Sequence, residues 1–151
     1  MLNKKIFLAT DHAGFELKEE IKKFLIKAGY EVDDQGAHSY NAKDDYPEFI
    51  AAAAKKVAKN PKSRGIIFGA SGQGEAIVAN KINGIRAAVY YGQKLEIVKL
   101  SRTHNNTNVL SLGAKFLAKK EAIKALKIWL KTDFSDEERH ERRIKQISKL
   151  E

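Results

Sequence analysis

Ser71 and Glu75 are the residues of this chain best placed to do chemistry, because both belong to one glycine-rich turn. The stretch reads Gly69-Ala70-Ser71-Gly72-Gln73-Gly74-Glu75, and it follows the apolar run Ile66-Ile67-Phe68. A helical pattern opens directly after it, with Ala76, Ile77 and Ala79 as expected buried positions. A strand, a glycine turn and a helix in that order aim unpaired backbone N–H groups at an anion. Glycines let the main chain approach a ligand closely. Glu75 reads either as a first-turn carboxylate facing the helix dipole or as a general base beside amides that stabilise an oxyanion. Two nucleotide motifs fail here. No Lys-Ser or Lys-Thr follows the glycines as a P-loop requires, and the third glycine of G-x-G-x-x-G would fall on Ile77.

A second candidate group is Asp11-His12, directly after the apolar segment KIFLAT. Asp11 reads equally as a functional carboxylate or as the cap of the following helix. Tyr46, in Asp45-Tyr46-Pro47, has a plain reading as a packed aromatic, and His38 reads as a surface residue. Arg139, Arg142 and Arg143 form a compact basic group near the C-terminus. The chain has no cysteine, which excludes a thiol nucleophile, disulfides and thiolate zinc sites.

The elements that must position these residues alternate. Strands are expected over Lys5–Thr10, Tyr30–Asp33, Ile66–Phe68, Ile85–Tyr90 and around Val109–Leu112. Between them run helical stripes: Leu17, Ile21, Phe24, Leu25 and Ala28, stopped by Gly29, then Ile50, Ala53, Ala54, Val57 and Ala58 after Pro47. A helix over Gln93–Arg102 carries Leu95 and Val98, and another carries Ala122, Ala125, Leu126, Trp129 and Leu130. Ser135-Asp136-Glu137-Glu138 fits a capping box opening a last helix with Ile144 and Ile147. Such alternation predicts an α/β fold with a parallel sheet and helices on both faces. Ligands then sit outside the carboxyl ends of the strands, which puts Asp11 and His12 beside the glycine turn.

At 151 residues and 43% hydrophobic composition, one domain over 1–151 with a single core is expected. Lys+Arg number 28 against 19 Asp+Glu, a net charge of +9. That charge fits a small anionic substrate or, as the minor reading, nucleic acid. Most of it alternates with acids, as in Glu16-Leu17-Lys18-Glu19-Glu20-Ile21-Lys22-Lys23, and reads as solvated surface. No membrane span or signal pattern is present, and a cytoplasmic location is expected.

With these pieces placed, the sequence resembles ribose-5-phosphate isomerase type B and its relatives acting on galactose and allose 6-phosphates. The resemblance rests on Asp11-His12-Ala13-Gly14, Asp45-Tyr46-Pro47, the turn Gly69–Glu75, Ala79-Asn80-Lys81 and Gly84-Ile85-Arg86-Ala87. It continues through Ser101-Arg102-Thr103-His104-Asn105, Thr107-Asn108-Val109-Leu110 and Arg139-His140 with Arg143. It implies a Rossmann-like three-layer α/β/α sandwich with a five-stranded parallel sheet, working as a homodimer or a dimer of dimers. It also implies a cofactor-free and metal-free aldose–ketose isomerisation through a cis-enediolate, on a sugar phosphate and without a nucleic-acid or membrane partner. One branch of the family uses a cysteine just after the third strand, where this chain has Gly69; the other places a glutamate after the turn, which Glu75 matches.

On this resemblance Glu75 takes the proton at C2, the amides of Ala70 to Gly74 hold the negative charge, and Ser71 relays a proton between the substrate oxygens. His104 matches the family's ring-opening acid, with Asp11 as its companion. His12, Arg139 and Arg143 would bind phosphate, and Tyr46, Gly69 and Asn105 line the substrate. Lys115 stands where relatives usually carry arginine, which keeps the charge and loses the bidentate fork. The competing readings are a hexose 6-phosphate isomerase of the same family and a non-catalytic nucleotide- or nucleic-acid-binding domain. His104 follows a helix, so it is expected at the amino edge of the sheet, a strand length of roughly 17–20 Å from Glu75. A dimer partner would then supply His104 and Asn105.

Overall fold

The computed structural model describes residues 4–151. Five strands, β1 (Lys5–Thr10), β2 (Glu31–Asp34), β3 (Arg64–Gly69), β4 (Ala87–Tyr90) and β5 (Val109–Gly113), form one sheet. They lie in the order β2-β1-β3-β5-β4, and every pairing is parallel. Leu8 pairs with Ile66, and Ile66 with Leu110, through the middle of the sheet. The helices are α1 (Phe15–Lys27), α2 (Tyr46–Lys59), α3 (Gln73–Asn80), α4 (Glu96–Thr103), α5 (Lys119–Lys131) and α6 (Glu138–Ser148).

Side chains alternate across a strand, and the three central strands β1, β3 and β5 carry apolar residues on both faces. Ile6, Leu8, Ile66, Phe68, Leu110 and Leu112 pack on one side with Ile21 and Leu25 of α1, Val98 of α4 and Leu126 and Trp129 of α5. Phe7, Ala9, Ile67 and Val109 pack on the other with Ile50, Ala53, Ala54 and Val57 of α2 and Ala79 of α3. Each fully buried Ile or Leu contributes about 1.5–3 kcal/mol relative to exposure. These two cores give the expected three-layer α/β/α sandwich.

Several local expectations need correcting. Ile77 is 62% exposed. Helix α3 meets the sheet through Ala76 and Ala79, and Glu75 takes the inward position before them. Lys18, expected on a solvated face, is fully buried, and its Nζ donates to Asp34 Oδ2 at 2.5 Å and to the Ala37 carbonyl at 2.8 Å. A buried ammonium needs such partners, and these two tie α1 to the end of β2 and the segment after it. Helix α4 begins at Glu96 because Gln93 takes a left-handed φ of 75°. The turn in which the Ile85 N–H donates to the Ile82 carbonyl delays β4 to Ala87. No capping box forms on α6: Glu137 is the cap without a side-chain bond, and Ser135 Oγ accepts from the Glu137 N–H at 3.3 Å. Only His140 of α6 is buried, while Ile144 is half-buried and Ile147 exposed.

Candidate active site

At the carboxyl edge of the sheet, β3 ends in Gly69 and the turn climbs into α3. Gly72 has φ 79°, a left-handed value that suits glycine, and it serves as the N-cap residue. Its carbonyl accepts from Ser111 Oγ at 2.7 Å and from the Ala76 N–H at 3.2 Å. The loop after β5 binds the same turn: the Ala114 N–H donates to the Gly69 carbonyl at 2.8 Å, and the Lys115 N–H to the Ala70 carbonyl at 3.0 Å. Ser71 Oγ accepts from the Gln73 N–H at 3.3 Å. The amides of Ser71, Gly72 and Gly74 have no acceptor among the described residues. They form the expected set of free donors at a helix start.

Glu75 is 4% exposed. Its carboxylate fills the space above Gly69: an added Cβ there would fall 1.8 Å from Glu75 Oε1. Gly69 and Glu75 are therefore a coupled pair, in which one side chain occupies the room that the other lacks. Burial pushes the Glu75 carboxyl above the ordinary carboxylate range. Its own backbone N–H opposes that, and the negative charge of Asp11 adds to it. Burial thus outweighs stabilisation of the charged form at the helix start.

Asp11 is buried and caps the short 3-10 turn His12–Gly14, with Oδ1 accepting from the Ala13 N–H at 3.0 Å. The capping reading of Asp11 holds, and its Oδ2 lies 3.9 Å from His12 Nδ1. Asp44 Oδ1 accepts from the His12 N–H at 2.9 Å and pairs with His12 Nδ1 at 2.7 Å. That bond, helped by Asp11 and opposed by partial burial, raises the His12 imidazole above its ordinary value. Asp11, His12 and Asp44 offer three ligand-type atoms within 4.8 Å of one another. Of these side-chain atoms only His12 Nδ1 and Asp44 Oδ1 are hydrogen-bonded to one another, while Asp11 faces the same ring at ion-pair distance. Tyr46 opens α2, and its hydroxyl would lie 2.3 Å from a Cβ on Gly74. Lys115 is exposed at this same edge.

His104, Asn105, Arg139 and Arg143 are elsewhere. His104 caps the end of α4, and the segment after it leads into the start of β5, where the Gly65 N–H donates to the Asn108 carbonyl. Arg102, nearly fully buried, holds this loop through bonds to the carbonyls of Thr132 and Thr107 and to Asn106 Oδ1. The Ser135 N–H donates to the Thr103 carbonyl at 3.2 Å, which brings α6 to this amino edge. There His140 stacks on His104 with ring centroids 4.2 Å apart and 18° between planes. Arg139 is 56% exposed and its Nε donates to Glu137 Oε2 at 2.8 Å. Asn105 and Arg143 are exposed. A cavity of about 710 Å³ on this side is lined by Asn80, Arg86, Asn105, Thr107, Ile147 and Leu150 among others, and by none of Asp11, Ser71 and Glu75. The chain thus gathers one set of site residues at each edge of its sheet.

Two residues drew no assignment from the sequence. Asp44 reaches His12 across 32 positions, and nothing local marks it apart from the doubled Asp44-Asp45. His140 neighbours Arg139 in the sequence, but its burial depends on how α6 folds back.

A family model described as Ribose/Galactose Isomerase matches residues 6–147. The ribose-5-phosphate isomerase B of Mycolicibacterium paratuberculosis is 40% identical over 147 residues, covering 97% of this chain and 91% of that protein. The solved ribose-5-phosphate isomerase B of Mycoplasma genitalium, with bound ribulose-5-phosphate, superposes with a TM-score of 0.93 at 38% identity, covering 99% of this chain and 97% of that one. The corresponding protein of Clostridium thermocellum gives a TM-score of 0.91 at 40% identity, covering 97% and 96%. With a shared fold and this extent of identity, the chain belongs to the ribose/galactose isomerase family.

Proposed function

We propose that this chain, as a single domain over 1–151, interconverts ribose 5-phosphate and ribulose 5-phosphate through a cis-enediolate, with Glu75 as the base. The observation that carries this reading is the buried Glu75 carboxylate seated over Gly69, next to a turn of free amides. The C–H beside a carbonyl is a weak acid, so its removal needs a positioned base of raised proton affinity and donors for the forming oxyanion. Glu75 supplies the first, the free amides of Ser71, Gly72 and Gly74 within the Ala70–Gly74 turn the second, and Ser71 Oγ moves the proton between the two substrate oxygens. The family membership and the ribulose-5-phosphate bound in the Mycoplasma genitalium structure support the choice of a pentose phosphate.

Ring opening and phosphate binding draw on the other edge. His104 acts as the ring-opening acid with Asp11 as its companion, and Arg139 and Arg143 bind phosphate together with His12 and Lys115. Tyr46 and Asn105 complete the pocket. One chain keeps the two sets apart by about a strand length, roughly 15–20 Å for five or six residues. The working enzyme is therefore a homodimer with shared sites, alone or paired as a dimer of dimers. The reaction moves protons only and calls for no cofactor. No described helix is long and apolar enough to cross a membrane, and the proposed location is cytoplasmic.

The test is Glu75→Gln, which keeps the shape and removes the base. It should lower kcat by about two orders of magnitude or more, abolish solvent-hydrogen exchange at C2 and leave phosphate affinity within a few-fold. In the parent, kcat should fall as pH drops through a value above the ordinary 4.5, since the base works only when ionised. Near-normal turnover of Glu75→Gln would place the base elsewhere. Assays on allose and galactose 6-phosphates decide the sugar.

A further inference from the structure

We propose that Asp44 is a positioning residue for His12: one carboxylate oxygen takes both the backbone N–H and the ring Nδ1–H of His12, so that only Nε2 remains for an anionic ligand. The inference rests on the reading of His12 as a phosphate-binding residue. Asp44 adds to that reading the group that sets the histidine's tautomer, orientation and charge.

The geometry is specific. Both bonds converge on Asp44 Oδ1, at 2.9 Å from the amide nitrogen and 2.7 Å from Nδ1, so the main chain and the ring of His12 are held together. The Asp44 side chain is only 10% exposed, and its Oδ2 is buried without a hydrogen-bond partner. His12 is the only cation-forming side chain within ion-pair distance of Asp44 among the described residues. A buried carboxylate in that state favours a positive charge on its single partner. His12 is faced from its own turn by Asp11, with Oδ2 at 3.9 Å, and from the loop before α2 by Asp44 and by the edge of the Tyr40 ring at 6.1 Å between centroids. The two carboxylates favour the imidazolium, and Tyr40 adds no cation against it. His12 Nε2 makes no hydrogen bond among the described residues, and when protonated it is a charge-assisted donor for a phosphate oxygen.

The loop that carries Asp44 is itself anchored near the site. The Thr10 N–H donates to the Gly36 carbonyl, the Ala37 N–H to the Thr10 carbonyl, and Lys18 Nζ to the Ala37 carbonyl, all at 2.8 Å. Helix α2 then starts at Tyr46, two residues beyond Asp44, with Pro47 in its first turn. Asp44 is thereby tied to β1 on one side and to α2 on the other.

The experiment follows the His12 imidazole by NMR and inorganic phosphate binding in the parent and in Asp44→Asn, which keeps the shape and removes the charge. In the parent, His12 should titrate above an ordinary histidine and carry its neutral-state proton on Nδ1. In Asp44→Asn its titration should move down, and phosphate affinity should fall about tenfold, as expected for one hydrogen bond to a charged group. With ribose 5-phosphate, KM should rise by the same factor at neutral pH while kcat changes little, and the rise in KM with pH should begin lower than in the parent. His12→Asn should show the same loss, and adding Asp44→Asn to it should cost nothing more. Unchanged His12 titration or unchanged phosphate affinity in Asp44→Asn overturns the proposal. If that variant does not fold, the parent decides alone: a neutral His12 with its proton on Nε2, or an ordinary titration, overturns it. Absence of isomerase activity in a parent that shows these phosphate and NMR effects would defeat the proposed reaction and leave the role of Asp44 standing.

Discussion

The chemistry of the proposed site turns on a steric exchange between two residues. Glu75 can lie over the end of β3 only because residue 69 has no side chain. Gly69→Ala should therefore be far from neutral. Its Cβ would meet Glu75 Cδ at 2.0 Å and Oε2 at 2.4 Å, so the carboxylate must swing away from the free amides. Kcat for isomerisation should fall by roughly a hundredfold, since a displacement of about 1 Å in a positioned group costs on that order. A paired comparison checks the cause: adding Gly69→Ala to Glu75→Gln should lower activity little further, because the group it displaces has already lost its function. Full activity in Gly69→Ala would show that Glu75 works from another position. Ser71, Glu75 and the glycines were legible in the sequence because a strand, turn and helix set them within seven consecutive positions. The direction of the Glu75 shift was not, because it depends on how much protein covers the carboxylate. Asp44 was hidden for a related reason: its partner is 32 positions away, and only the fold brings them together.

At the scale of elements, α6 is held by few contacts of its own. It is tied to the body of the chain by the Ser135–Thr103 bond before it, by the stack of His140 on His104, and past its end by the Gly84 N–H, which donates to Glu151 Oε1 at 2.7 Å. Beneath that stack the loop 103–108 is fixed by Arg102 and by a buried chain in which Trp129 Nε1 donates to Thr107 Oγ1, itself 3.1 Å from Ser101 Oγ. Burial lowers the His140 imidazole below its ordinary 6.5; His104, Arg139 and Arg143 act in the same sense and Glu137 against them. A histidine whose folded value is depressed contributes stability above the unfolded value and loses it as pH falls from there to the folded value. The melting temperature should therefore decline below about pH 6.5. His140→Gln should flatten that decline at the cost of a lower plateau at neutral pH. The raised His12 gives the opposite slope, on the alkaline side of 6.5, so the two windows do not overlap. A decline of equal size in His140→Gln would mean that another group controls it. The strands and five of the helices were legible from apolar periodicity, with shifts of a few residues where a left-handed Gln93 or the turn at Ile85 intervened. The start of α6 was misread because a capping box is a local pattern, and here Ser135 is committed to a contact with Thr103, 32 positions earlier.

For the whole molecule, the parallel sheet itself decides what one chain can assemble. Every strand runs the same way, so residues that follow strands and residues that follow helices emerge at opposite edges. Asp11, Ser71 and Glu75 are of the first kind, and His104 and Asn105 of the second. Arg139 and Arg143 join the second set because α6 folds back onto the loop after α4. A second copy related by a two-fold axis can bring its amino-edge set to the carboxyl-edge set of the first, and the reverse contact follows by symmetry. Complementation tests this. Glu75→Gln and His104→Ala proteins, each expected to be inactive on closed-ring ribose 5-phosphate, are dissociated from the proposed dimer, mixed and reassembled. In a mixed dimer with shared sites, one site combines both substitutions and the other has an intact Glu75 and an intact His104. Random reassembly makes half of the dimers mixed, so roughly a quarter of the parent's sites should be restored. If each site drew both residues from one chain, every site in the mixture would carry a defect and no activity would return. Mixed dimers confirmed by mass and still inactive would refute the shared site, and the chain's own loop after α4 would then have to reach Glu75 across its sheet.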